Sequence, residues 1–292
     1  MTLELCLTTL MLCLGAPPEA SKIYHLKQGV PVDLAAVVEA VAKQDVVFLG
    51  EEHDNTAGHE FQMQMVEALH KKRPDLVLSL EMFERDVQGV LNDYLLGRLT
   101  EADFLERSRP WSNYQKHYRP LVEYARQHKL DVIAGNIPRH VARLVSQGNT
   151  PPLEDNRWMP RLTSSPRDAY WERFNETMKG HAGTVEAEEM DRYYRSQCLK
   201  DDTMAESIAD YLAQHHHRQP LVVHLCGKFH SDFGQGTAWR LLSRKPLLSL
   251  SVVSMEVGDK PAEFDWKPFA QQGHYLVVVP PEPAAEKPAK AE

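Results

Sequence analysis

The 292-residue sequence predicts an α/β protein: a mostly parallel central sheet flanked by helices, with a smaller helical subdomain formed by insertions. Three observations lead there. Short apolar runs recur with helical patterns between them, the alternation of parallel βαβ units. Most of these runs are continuous rather than alternating, as strands are when helices cover both faces of a sheet. Finally, a short pattern, G-x-x-H, occurs at Gly50–His53 and again at Gly227–His230, each time directly after an apolar run. Ligands of open α/β sheets bind beyond the carboxyl ends of the strands, where both patterns would lie.

Taken in order, the chain opens with an almost wholly apolar stretch, Leu3–Ala16, broken by Pro17-Pro18. It is too short to span a bilayer and suits the core of a signal peptide. A basic start is missing, with Glu4 in its place, and Leu10-Met11-Leu12-Cys13 matches a lipid-attachment site poorly. Residues 1–21 therefore read as a signal peptide-like segment, and the protein as exported, either periplasmic or anchored on the periplasmic side of a membrane. Expected strands follow at Val46–Leu49, Leu76–Leu80, Val132–Ala134, Leu221–Leu225, Leu247–Val253 and Tyr275–Val279. Between them, Phe61, Met65 and Leu69 fall on one helical face, as do Val87, Val90, Leu91 and Tyr94, with Gly97 as a stop. Thr100 heads a helix start, and Met204, Ile208 and Leu212 mark a long helix near 188–215. The strand rhythm fails between Ile133 and Val222. Residues 22–279 thus read as one α/β domain with helical insertions at about 84–130 and 160–216. The proline-bearing stretch Ser146–Ser165 reads as a loop suited to a lid. The Pro, Ala, Lys and Glu tail, 280–292, reads as disordered.

Composition narrows the function. The net charge is −8 with no long basic block, which argues against nucleic acid as a partner. Fourteen histidines favour metal, haem or proton chemistry. Without the leader only Cys198 and Cys226 remain; no CxxC pattern exists, and both read as small buried hydrophobes.

Four successive strand ends supply polar groups: Glu51 and His53, Glu81, Asn136 and Arg139, and His230. Glycine at position 50 allows the sharp turn that presents Glu51 and His53, and Asn55 or Thr56 can cap the following helix. A carboxylate such as Glu81 directly after a buried run is costly unless paired. Arg139 can hold Glu81 or Glu51, or an anionic ligand. His224 reads as a satisfied core histidine. Convergence of this kind suits a divalent metal (Mn, Co or Zn) on His53, His230 and Glu51, or a metal-free Glu/His acid–base pair. A second focus is the aromatic stretch Trp111–Pro120, where Tyr114 and Tyr118 share a helical face. A phenolate there can ligate ferric haem iron, or the stretch can be a packing face.

These residues carry a family resemblance. Gly50–Asn55, Leu80–Phe83 with Gln88, Trp111 with Tyr118–Leu121, Gly135–Arg139, Gln197 with Asp201–Ala205, and Gly227–His230 occur in one order. The set resembles the ChaN-type haem-binding lipoproteins, in the wider superfamily of the Tiki/TraB proteins and erythromycin esterases. That resemblance implies an exported protein linked to haem or iron uptake, haem held through a tyrosine, and two subunits pairing around stacked haems. Outer-membrane or transport partners are implied as well. Tyr118 lies inside a matching motif, with Tyr114, Tyr94 and Tyr194 as rivals. In the Tiki and esterase branches the corresponding strand-end set is hydrolytic, and here it matches Glu51, His53, Glu81, Arg139 and His230. An esterase or peptidase is therefore the alternative function, and a scaffold that kept only the fold is a third.

Overall fold

The computed structural model describes residues 21–182 and 185–283. The segment expected to be signal peptide-like, with Cys13, and the tail from residue 284 on lie outside the described residues, Ser21 excepted. Elements follow in chain order: β1 (Lys22–His25), β2 (Val30–Val32), α1 (Leu34–Val41), β3 (Val46–Glu51), α2 (Thr56–Lys72) and β4 (Val77–Glu84). Next come α3 (Gln88–Leu95), α4 (Glu101–Ser108), α5 (Tyr114–His117), α6 (Arg119–His128), β5 (Val132–Asn136) and α7 (Arg139–Ser146). The chain continues with α8 (Ala169–Ala182), α9 (Ala187–Gln214), β6 (Val222–Gly227), α10 (Gly236–Arg244), β7 (Leu250–Val257) and β8 (Tyr275–Val279).

The strands form one sheet in the order β2-β1-β8-β7-β3-β6-β4-β5. From β8 to β5 every pairing is parallel, and β1 and β2 close the other edge antiparallel. All six expected strands are present. The β1–β2 hairpin is an addition; with Pro31 in its outer strand it occupies an edge, where a missing N–H costs no ladder bond.

Continuous apolar runs arise because both faces are covered. Val47, Leu49, Leu78, Leu80, Val223 and Leu225 turn to one face, packed with α1, α2 and side chains of α3–α6 such as Leu91, Phe104 and Leu121. Their neighbours Val46, Phe48, Val77, Ile133, Val222 and Cys226 turn to the other, against Ile208 of α9 and Leu241 of α10. Successive strand residues point to opposite faces, so each needs an apolar side chain. The insertion 84–130 shares the first of these cores, whereas Tyr170, Phe174, Met190, Tyr194 and Cys198 of α8 and α9 build a separate cluster. Cys198 and Cys226 are free and buried.

Caps set the helix entries that matter to the site. Asn55 accepts from Gly58 N at 2.8 Å and starts α2 directly behind His53; Thr100 does the same for Asp103 N ahead of α4. Two tail residues are docked rather than free. Pro280 O accepts from Asn55 Nδ2, and Glu282 accepts from Thr56 N and Oγ1 and from Lys116. The expected lid also sits elsewhere. Leu162 O and Ser164 O are tied to Arg244 and Arg240, on the α9–α10 side of the sheet.

Candidate functional site: a strand-end cavity with two unlike histidines

The register of β3 against β6 brings the two G-x-x-H motifs side by side. Gly50 pairs with Cys226, and Glu51 with Gly227. Glu81 ends the apolar part of β4, on the far side of β6, and Asn136 ends β5 beyond it. Four strand ends thus meet, as the alternation of strands and helices implies. Each glycine makes room for the opposite motif. A Cβ on Gly50 would lie 3.1 Å from Lys228 Cα, and one on Gly227 would lie 2.9 Å from His53 Nε2.

Glu51 is the anchor of one half. Only 2% exposed, it accepts from His53 Nδ1 at 2.8 Å, Tyr118 OH at 2.6 Å and Gln62 Nε2 at 2.7 Å. The His53 carbonyl is held in turn by His59 Nε2 at 3.0 Å and Asn113 Nδ2 at 2.9 Å. The imidazole is therefore fixed from behind, while its side chain stays 41% exposed and its Nε2 has no hydrogen-bond partner among the described residues. Burial disfavours the charged ring, but the bond to Glu51 and the charges of Glu81 and Glu51 outweigh it and raise the His53 pKa.

His230 anchors the other half and is its opposite. It is buried between two carboxylates, with Nδ1 2.7 Å from Asp201 Oδ1 and Nε2 3.3 Å from Glu81 Oε1. Asp201 also accepts from Tyr170 OH at 2.6 Å and Thr237 Oγ1 at 2.9 Å, and Glu81 accepts from Gly227 N at 2.8 Å. Burial works against the imidazolium, yet Glu81 and Asp201 push the His230 pKa up to about 10. The same pairing overrides burial to hold Glu81 and Asp201 below the usual carboxylate range. His230 is a fixed cation at neutral pH; His53 is the imidazole with a nitrogen to offer.

Outside these groups lies a cavity of about 660 Å³. His53, Glu81 and His230 form its floor, and helix faces form its walls. Arg139, Ala142, Arg143 and Ser146 line it from α7, and Tyr193, Ser196, Gln197 and Lys200 from α9, each set at i, i+3, i+4, i+7. Trp111, Ile137, Phe174 and Met178 add apolar surface. Of the stretch expected as a lid, only Ser146 reaches this cavity.

A family model described as haem-binding uptake, Tiki superfamily, ChaN matches residues 37–241, a span holding every group of this site. The chain belongs to this ChaN family. Among solved structures, it is similar to one of cofacial haem binding to ChaN of Campylobacter jejuni. That match has a TM-score of 0.68 and 18% identity, over 89% of this chain and 97% of that one. An erythromycin esterase mutant, EreC, in its open conformation gives 0.47 and 12% over 76% and 72%, and a Bacillus cereus protein gives 0.42 and 10% over 88% and 98%. At such identities the likeness shows the fold. No curated protein matches by sequence.

Within the ChaN fold, the predicted site residues fall into two groups. Glu51, His53, Glu81 and His230 converge. Arg139 lines the cavity but holds neither Glu81 nor Glu51; it pairs with Glu84, which also accepts from Arg109 at 2.9 Å. Asn136 braces the Glu81 carbonyl at 3.1 Å. A metal set of His53, His230 and Glu51 does not form: Glu51 is consumed by three donors and His230 by two carboxylates, and no group of three or more ligands poised for a metal occurs among the described residues. His224 is buried on Ser79 at 2.9 Å, and burial pushes its pKa down to about 4.

The four tyrosines do not face the cavity. Tyr118 is buried behind Glu51, Tyr94 donates to Glu123, Tyr194 donates to Pro166 O at 2.8 Å, and Tyr114 is buried with its hydroxyl unpartnered among the described residues. Tyr193 does line it, with its hydroxyl on Glu189. Missed as well were Gln62, Tyr170 and the pairing of Asp201 with His230. The i, i+3, i+4, i+7 stripe of Tyr193, Ser196, Gln197 and Lys200 was the signal for one wall.

Proposed function

We propose that this chain is an exported haem-binding protein of a haem-uptake route and that the strand-end cavity takes the haem. One observation carries this reading within the family: an amphiphilic cavity of about 660 Å³, inside the usual size range of small-molecule pockets. Trp111, Ile137, Phe174 and Met178 offer apolar faces to a porphyrin, while Arg143 and Lys200 are cavity cations without an ion pair among the described residues, suited to its carboxylates. Residues of axial-ligand chemistry line the same space: His53, Tyr193 and Met178. The groups present therefore fit haem, whose iron supplies a Lewis-acidic, redox-active centre when bound. The apolar leader, Leu3–Ala16, supports export. Pairing of two subunits around haem is part of the proposal. The test is a haemin titration of the purified protein, followed by absorbance and by size. A saturable Soret shift with a monomer-to-dimer change is expected; no saturable shift would remove the haem reading.

A second reading is favoured by the imidazole geometry. His53, oriented by Glu51 and open at Nε2, has the arrangement of a general base beside the fixed charge of His230. A hydrolase of this kind would cleave an ester or peptide seated in the cavity, and His53→Ala would abolish it. Full activity in that variant would exclude His53 from the chemistry.

A further inference from the structure

His53 is prepared for one bond that no described residue makes. Its main chain is fixed by His59 and Asn113, its Nδ1 is engaged by a carboxylate, and that carboxylate is itself immobilised by Tyr118 and Gln62. Trp111 stands edge-on to the ring at 4.9 Å and 81°. The glycine beneath leaves clearance that any side chain would take away. The remaining atom, Nε2, belongs to a cavity-lining residue and is unpaired among the described residues. Histidines that ligate metals almost always give their other ring N–H to a carboxylate or carbonyl, which fixes the ring and raises its basicity. Neutral imidazole is also a standard axial ligand of haem iron.

The tyrosines compare poorly on the same terms. A phenol must lose its proton to ligate ferric iron. Tyr118 donates to Glu51, Tyr94 to Glu123 and Tyr193 to Glu189, so each would place a phenolate against a carboxylate. Burial and Glu123 push Tyr94 up to about 12, and burial and Glu51 raise Tyr118 further still. Tyr114 and Tyr194 are buried away from the cavity. His53 meets a milder obstacle: the carboxylates raise its pKa too, but the neutral ring, with its proton on Nδ1 toward Glu51, presents a lone pair at Nε2.

We propose that His53, through Nε2, is the protein ligand to haem iron, that Glu51 is the carboxylate acceptor behind it, and that Tyr118 and Gln62 are positioning residues that hold Glu51. This assignment rests on the haem reading above and departs from the tyrosine ligation that the family resemblance implies. Its physical consequence is an electron-rich imidazole, which favours ferric over ferrous iron and so lowers the reduction potential of the bound haem.

The experiment compares the purified wild type with His53→Gly, Tyr193→Phe and Glu51→Gln. Each is titrated with haemin and examined by absorbance, resonance Raman of the ferrous state and potentiometry, with circular dichroism to verify folding. The wild type should show an iron–imidazole stretch. His53→Gly should lose that band and bind haemin roughly tenfold or more weaker, the scale of losing support at a metal ligand. Added imidazole should restore the band, which a merely misfolded variant would not allow. Tyr193→Phe should keep the iron–imidazole band, whatever its affinity, and Glu51→Gln should keep the band with a higher potential. If wild type binds haemin while His53→Gly keeps its affinity and spectrum, or if Tyr193→Phe is the variant that loses the spectrum, the ligand assignment is overturned. An unchanged potential in Glu51→Gln removes Glu51 from it. If wild type binds no haemin, the haem reading itself fails, an outcome distinct from the other three.

Discussion

Replacing Asp201 by Asn tests whether His230 is a cation locked between two carboxylates. The variant keeps the size of the side chain and deletes one of two charges, leaving Glu81 at 3.3 Å from Nε2. Removing one partner of a buried ion pair costs about 3–5 kcal/mol at neutral pH. The pH dependence is the sharper readout. The folded pKa of His230, about 10, lies above its unfolded value of about 6.5. Its contribution is therefore complete below about pH 6.5 and is lost as pH rises through 10. Between pH 7 and 9 the wild type should lose on the order of 2–3 kcal/mol through this one group. With a single flanking carboxylate the pKa falls, so Asp201→Asn should lose clearly less over the same interval. The assay is urea denaturation at pH 7 and pH 9, with midpoints compared at constant m-value. His53 also has a raised pKa, but it is intact in both proteins and cancels in the comparison. Equal losses from pH 7 to 9 in wild type and variant would refute the locked-cation account.

Two further outcomes follow from close contacts. Gly227→Ala puts a methyl 2.9 Å from His53 Nε2, and the half-exposed ring can swing aside; the protein should fold with near-native stability while haemin affinity falls, and unchanged affinity would show that His53's position is unimportant. Glu282→Ala removes an exposed carboxylate from Thr56 N, Thr56 Oγ1 and Lys116 while Asn55 still caps α2, so denaturation should register a loss of only about 0.5–1 kcal/mol; a loss above about 2 kcal/mol would give the docked tail a larger part in the fold.

The sheet was legible because its strands are buried on both sides and so announce themselves as apolar runs; Val46–Leu49 and Leu221–Leu225 needed no further context. The β1–β2 hairpin was not, since four and three residues at a partly exposed edge, one of them Pro31, carry no such signal. At the site, residues presented by strand ends could be read, because parallel topology dictates where Glu51, His53, Glu81 and His230 must go. Partners delivered by helices could not. Tyr170 lies 31 residues from Asp201, and Gln62 lies 11 from Glu51, and nothing local requires either bond. The tyrosines illustrate the same limit from the other side. Their spacing showed a shared helical face, but a buried aromatic face and a ligand face have one periodicity, and only the packing of Tyr114 against Phe83 and Phe104 separates them.

The two copies of G-x-x-H are thus alike in sequence and unlike in chemistry, and the sheet accounts for the difference. By motif position Glu51 corresponds to Lys228, so the first motif carries a carboxylate where the second carries a cation. That carboxylate takes Nδ1 of its own histidine and turns Nε2 outward. The second motif has no acid at its equivalent place, where Lys228 points away to Glu52 and Glu256; His230 instead finds its acids on β4 and α9, one for each nitrogen, and is sealed. A sealed imidazolium cannot bind iron or take a proton, but it keeps Glu81 ionised beneath the cavity. Haem ligation and general-base hydrolysis consequently make the same demand on this protein, an unpaired Nε2 at His53, and they compete for one atom. A protein loaded with haem through His53 would be unable to hydrolyse through it, so haemin acting as a stoichiometric inhibitor of any esterase activity is the outcome that this geometry requires.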